Sequence, residues 1–217
     1  MDLSAYKTSY QDDNKACGAL CTLVALHAKG KIAKMPENED KDPNNIWGKI
    51  KFGDPNPLGL DGKESSPLKI LEVFKDAGIS ASMVLDQVTY FHSMGLHSGL
   101  KTTGENFINV IQTLPSSLQP KIVTKWENSI TLKTDELYML TVIIVDDKNK
   151  NMPTDLTHWI LASSSGGDVQ IYDPAGNSGS NRVKTFGKTS FKSLLQGIGH
   201  FDVGQRYVFS GLAIKVA

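Results

Sequence analysis

Hydrophobic positions follow a helical period early in the chain and strand-like runs late in it. Residues 16–28, ACGALCTLVALHA, place Leu20, Leu23, Val24 and His27 at i, i+3, i+4 and i+7. That spacing predicts a helix that stops at Gly30, with Cys17 in its first turn. Ser65-Ser66-Pro67 is a start signal for a second helix, LKILEVFKDAG, with Ile70, Leu71 and Phe74 facing inward and Gly78 ending it. Ile79–Leu85 reads as a short strand, and Gly104–Leu114 as a third helix after the turn-rich HSMGLHSGLKTTG. Between the first two helices, Pro36, Pro43, Pro55 and Pro57 stand among Asp, Asn, Lys and Gly residues. This predicts a long mobile loop at 31–64 with one short turn around Trp47, a length at which loops are often functional.

From Leu137 onward the pattern is that of β-structure. Leu137–Val145 reads as a buried strand and Asp146–Pro153 as a charged turn. His158–Ser163 and Val169–Asp173 flank SSSGGD, a hairpin signal. A helix, TSFKSLLQGIG, and a closing strand, Tyr207–Val216, follow. Helices first and an antiparallel sheet after them predict an α+β fold, organised as a single domain over residues 1–217.

Composition narrows the function. The 217 residues carry 23 Lys+Arg against 23 Asp+Glu, so no basic excess is available to neutralise nucleic-acid phosphates. The N-terminus, MDLSAYKTSYQDDNK, has no apolar core and is not a cleavable signal peptide. The longest apolar run, at Leu137–Val145, is far short of the ~20 residues that span a bilayer. A soluble protein with no membrane span is expected. Cys17 and Cys21, one helical turn apart, suit neither a disulfide framework nor a structural zinc, and no cofactor or metal is implied. GxSxG, HExxH and P-loop patterns do not occur.

A cysteine nucleophile reacts as its thiolate, and the unpaired N–H groups of a helix start favour an anion. Cys17 is placed in that way, with Gly18 leaving room for a substrate backbone beside it. Gln11, six residues upstream, offers a side-chain NH2 that can join the Cys17 N–H as an oxyanion hole. Cys21, within the apolar stretch, reads as a buried core thiol. With Ser165-Gly166 as the hairpin tip, Ala162 faces Val169, Ile160 faces Ile171, and His158 faces Asp173. These six share one face, apolar except at its open end. There, opposed Cβ atoms ~4.5–5.5 Å apart allow an Asp–His hydrogen bond. Thiol, base and orienting carboxylate make the nucleophile–base–orienter set Cys17, His158 and Asp173. The competing assignment is a core cysteine and an edge ion pair. His27 late in the first helix, His92 and His97 in a loop with no carboxylate in register, and His200, near Asp202 but after a helix and without a matching strand partner, read as structural or solvated.

The order QDDNKACG plus apolar helix, SSPLKILEVFKDAGI, and HWILASSSGGDVQIYDPAG resembles the papain-like cysteine peptidases. The nearest look is to the bacterial branch that removes double-glycine leaders from bacteriocins, and to related effectors and toxins. The resemblance implies a papain-like fold with the nucleophile helix packed on the sheet. It also implies that Gln11, Cys17, His158 and Asp173 are oxyanion donor, nucleophile, base and orienter. The implied activity is cleavage of a protein or peptide amide bond through an acyl-enzyme. The implied partners are that substrate and an inhibitor or immunity protein. The implied setting is secretion or delivery into a target cell, with a cytoplasmic enzyme as the alternative. The same triad also serves glutamine deamidases and peptidoglycan amidases, and a non-catalytic binding module is a third reading.

Overall fold

The structure is a computed structural model, and it describes residues 1–13, 15–53, 62–90, 116, 119–126, 130–134, 136–146, 153–175, 181–202 and 205–217. The expected third helix at 104–114, all of the expected charged turn but its end residues Asp146 and Pro153, and His92 and His97 lie outside the described residues.

The helices include α1 (Cys17–Ala28), α2 (Ile46–Ile50), α3 (Pro67–Asp76) and α4 (Lys188–Leu195). The first and third form where the hydrophobic period and the Ser-Pro start predict them. Ser66 Oγ accepts from the Lys69 N–H at the head of α3, with Pro67 in the first turn. Both helices close with a bond from beyond the last turn, Lys31 N–H to Leu26 O (2.9 Å) and Ile79 N–H to Phe74 O (2.8 Å). Helix α1 differs from the expected one-sided pattern, because every residue from Cys17 to Leu26 is buried. The helix runs through the interior and does not lie on the surface. Residues 31–64, read as loop, hold a 3-10 turn at Glu39–Lys41 as well as α2, which contains Trp47.

The strands are β1 (Ala81–Asp86), β2 (Lys121–Val123), β3 (Leu137–Asp146), β4 (Pro153–Ser165), β5 (Asp168–Tyr172), β6 (Val183–Phe186), β7 (Gln196–Asp202) and β8 (Gln205–Val216). They form one sheet in the order β2-β1-β8-β3-β4-β5-β6, with β7 also on β8. All described pairings are antiparallel except β1 with β2. The α+β organisation read from the sequence is therefore present, with helices leading and a large sheet following. The tail of the expected helix, QGIG, is the exception: α4 ends at Leu195 and the next residues pair with β8 as β7.

Each face of the sheet carries its own core. Leu137 and Met139 of β3, Trp159 and Leu161 of β4 and Tyr172 of β5 face α1, α2 and α3. The alternate residues Tyr138, Leu140, Ile160, Ala162 and Ile171 face Phe191, Leu194 and Leu195 of α4. The period of two thus feeds two apolar layers at once, which accounts for near-continuous hydrophobic runs in β3 and β4. Each fully buried Leu, Ile or Phe contributes about 1.5–3 kcal/mol to this arrangement.

Strand β8 changes neighbours part-way, pairing with β7 through Gln196↔Val208 and with β1 through Leu85↔Leu212. A bulge falls at the handover, between the pairs Leu140↔Ala213 and Val142↔Phe209. Thr141 pins it, with its hydroxyl bonded to the Ser210 hydroxyl and donating to Leu212 O. Gly211 sits there at φ +97°, and a Cβ would stand 2.5 Å from Tyr90 N and 2.7 Å from Asp86 O. Backbone atoms cannot yield as a flexible side chain can. Gly211→Ala is expected to destabilise the fold by about 1–3 kcal/mol, read as a lower urea midpoint at unchanged slope.

Candidate active site

The hairpin of β4 and β5 sets the geometry, and it differs from the expected register by two residues. The tip is Gly166-Gly167, both at positive φ, and Ser165 pairs with Asp168, Ala162 with Ile171, and Leu161 with Tyr172. A two-residue loop with two left-handed positions is the turn that best matches the twist of paired strands. A shift of two preserves side-chain parity, so Ile160, Ala162, Val169 and Ile171 still share one buried face. His158 and Asp173, however, are not directly opposed. The ladder ends at Leu161 and Tyr172, and the two residues meet diagonally across its open end.

They meet closely. His158 Nε2 lies 2.7 Å from Asp173 Oδ1, and the two residues are 3% and 5% exposed. Asp173 Oδ1 also accepts from the Ala175 N–H at 2.8 Å, and Tyr207 O–H donates to Oδ2. With Nε2 committed to Asp173, the other imidazole nitrogen is left for Cys17, which acts on the His158 ring alongside Asp173. Burial disfavours the charged imidazole. The adjacent Asp173 and Cys17 outweigh it and raise the His158 pKa well above the ordinary imidazole range. Burial likewise opposes the carboxylate, yet His158, Tyr207 and the Ala175 N–H hold the Asp173 pKa below its ordinary value.

The end of β5 also explains how the thiol arrives. Continuing the register sets Trp159 opposite Pro174, which has no N–H to give a ladder. Helix α1 fills the gap: Trp159 N–H donates to Cys17 Sγ (3.4 Å), and Cys21 S–H donates to Trp159 O (3.4 Å). Cys17 belongs to the helix-side core and His158 has the parity of the opposite face. They touch because the sheet opens between β4 and β5. No side chain caps the first turn of α1, and no acidic residue lies in it. Its N–H groups therefore meet no competing anion from that turn. Cys21 is fully buried; burial, then the neighbouring Cys17 and Asp173, push its thiol well above the ordinary range.

Gln11 is drawn to the same place. Its N–H donates to Pro174 O at 3.1 Å, one residue beyond Asp173. Its Oε1 is buried and takes no donor among the described residues. The loop that follows is held by Glu39, whose carboxylate accepts from the Asp12 N–H (3.0 Å to either oxygen) and the Asp13 N–H (2.6 Å). Gly18 has a different role from the one expected. A Cβ there would stand 2.4 Å from Ser65 Oγ and 3.1 Å from Trp159 Cδ1, so it gives room to Ser65 and Trp159. His27 bonds Tyr6 Oη through Nδ1 (2.9 Å), away from this site. His200 pairs in the sheet with Arg206.

Sequence reasoning missed Glu39, Trp159, Tyr207 and Arg182, whose guanidinium bonds Ala175 O. The Asp-Pro step after β5 was a readable signal for the gap beside Trp159. Glu39 and Tyr207 are placed by long-range packing and left no local sign. Among the described residues, no group of three or more His, Cys, Asp or Glu side chains is arranged to hold a metal. No helix among them is long and apolar enough to cross a membrane.

No family model and no curated protein matches the sequence. Among solved structures the chain is similar to the Pseudomonas avirulence protein AvrPphB, over 100% of both chains, at 14% identity and a TM-score of 0.41.

Proposed function

We propose that this chain is a papain-like cysteine peptidase that cleaves a protein or peptide amide bond through Cys17, His158 and Asp173. The observation that carries the reading is the buried His158–Asp173 pair, Nε2 2.7 Å from Oδ1, with the Cys17 sulfur held on the N–H of Trp159, the residue after His158. A buried ionisable pair of this kind is costly to keep unless each charge is answered. In the proposed reaction the Cys17 proton passes to His158, and the sulfur attacks the substrate carbonyl carbon. The Gln11 side-chain NH2 and the Cys17 N–H take the developing oxyanion. His158 then gives its proton to the leaving amine, and a thioester to Cys17 remains. Water, deprotonated by His158, attacks the thioester carbonyl, releasing the acid and the free thiol. Asp173 keeps the ring oriented and stabilises its charge throughout.

The sequence resemblance extends the proposal to a bacterial effector or toxin that acts on proteins of a target cell. The test is proteome-wide mass spectrometry of bacterial and eukaryotic extracts after incubation with wild-type or Cys17→Ala protein. New backbone termini that appear only with the wild type are expected. Conversion of glutamine to glutamate without new termini contradicts peptidase action and makes the protein a deamidase. On a cleaved peptide, Gln11→Ala is expected to lower kcat by about 10–1,000-fold with little loss of stability, the scale of removing one oxyanion donor. An unchanged kcat removes Gln11 from the site.

A further inference from the structure

The Asp173 carboxylate is held on both of its oxygens, and the second hold comes from a strand with no other stake in the proposed chemistry. Oδ1 takes His158 Nε2 at 2.7 Å and the Ala175 N–H at 2.8 Å. Oδ2 takes the Tyr207 O–H. Tyr207 lies on β8, is 1% exposed, and is fixed opposite Ile144 of β3. Its ring also stands edge-on to the His158 ring, with centroids 6.3 Å apart and planes at 60°.

The torsion that turns a carboxylate about its own axis is soft and broadly populated. Two donors on Oδ1 anchor one oxygen and leave that rotation open. A donor on Oδ2 from a separate, rigid strand closes it. We propose that Tyr207 is a positioning residue of this site: its hydroxyl sets the plane of the Asp173 carboxylate, which in turn directs His158 toward Cys17. This rests on the peptidase reading above. The plainer role of a buried tyrosine is to satisfy its hydroxyl and fill space. That role changes stability without changing how the site responds to pH.

The groups facing Asp173 are His158 from β4, Tyr207 from β8, Cys21 from α1 and Tyr172 on its own strand, while Cys17 from α1 acts on His158. Tyr207 is one of the donors that lower the Asp173 pKa. Its loss lets the carboxylate protonate at higher pH, and His158 then loses its counter-charge earlier as pH falls.

The experiment is the pH dependence of iodoacetamide alkylation at Cys17, read by peptide mass spectrometry on the full chain, which needs no substrate. For Tyr207→Phe the acid limb is expected to move up by about one pH unit, the size of one charge-assisted hydrogen bond. In an Asp173→Asn background, Tyr207→Phe is expected to add no shift, because the route through Asp173 is gone. A profile for Tyr207→Phe that overlays the wild type overturns the inference, and so does an equal shift in both backgrounds. Should Tyr207→Phe not unfold cooperatively, 3-fluorotyrosine at position 207 takes its place. It is a stronger donor of nearly the same shape, and it should move the limb down; no movement overturns the inference. His158→Ala separates the two levels. Wild-type alkylation that does not depend on His158 overturns the peptidase reading and the inference with it. Alkylation that depends on His158 but not on Tyr207 overturns the inference alone.

Discussion

A carboxylate that is 5% exposed must be answered from within the protein, and the architecture around Asp173 follows from that requirement. Three donors reach it, from β4, from the turn after β5 and from β8. Each donor comes from a different part of the chain, so the carboxylate forms only when the sheet is assembled with its strands in register. Removing one partner of such a buried pair costs about 3–5 kcal/mol, because the other charge is left unanswered. The same three donors keep the anion charged, and the anion keeps the imidazole charged. The site and the fold therefore depend on the same contacts.

The turn Asp173-Pro174-Ala175 passes that order outward. Its first residue holds His158, its second accepts from the Gln11 N–H, and its third is bonded by the Arg182 guanidinium. Pro174 also matters for what it lacks. With no N–H beside Trp159, the strand pair opens, and the two thiols of α1 occupy the backbone groups left over. Glu39 then clamps the backbone between Gln11 and Cys17 through the Asp12 and Asp13 N–H groups. A segment rich in Pro, Asp and Asn thus packs beside the loop that leads into α1.

What the sequence made legible was local. The helix at Cys17, the Ser-Pro start of the next helix and the late strands all rest on period and capping, which neighbouring residues decide. Parity along β4 and β5 was also legible, because a period of two survives any even slip. The register was not. SSSGGD allows a turn at Ser165-Gly166 or at Gly166-Gly167, and the twist of the strands favours the second. His158 and Asp173 met in spite of that difference because the open end of the ladder lets them reach diagonally. Tyr207 and Glu39 were beyond reach for another reason. Each lies 26 or more residues from the group it holds, and only packing brings them there. The QGIG tail likewise continues a helix in local preference, yet β8 offers it a strand partner that wins.

The central claim is that His158 and Asp173 form one charged unit beside the Cys17 sulfur, whose proton the imidazole carries, and nuclear magnetic resonance of the imidazole nitrogens tests it most directly. Across a pH titration of 15N-labelled protein, His158 is expected to keep both ring protons well above the pH at which an ordinary imidazole loses one. Its Nε2–H is expected to be shifted far downfield by Asp173, and Asp173→Asn is expected to return the titration toward the ordinary range. A His158 that titrates like a solvated imidazole, or one that Asp173→Asn leaves unchanged, contradicts the account.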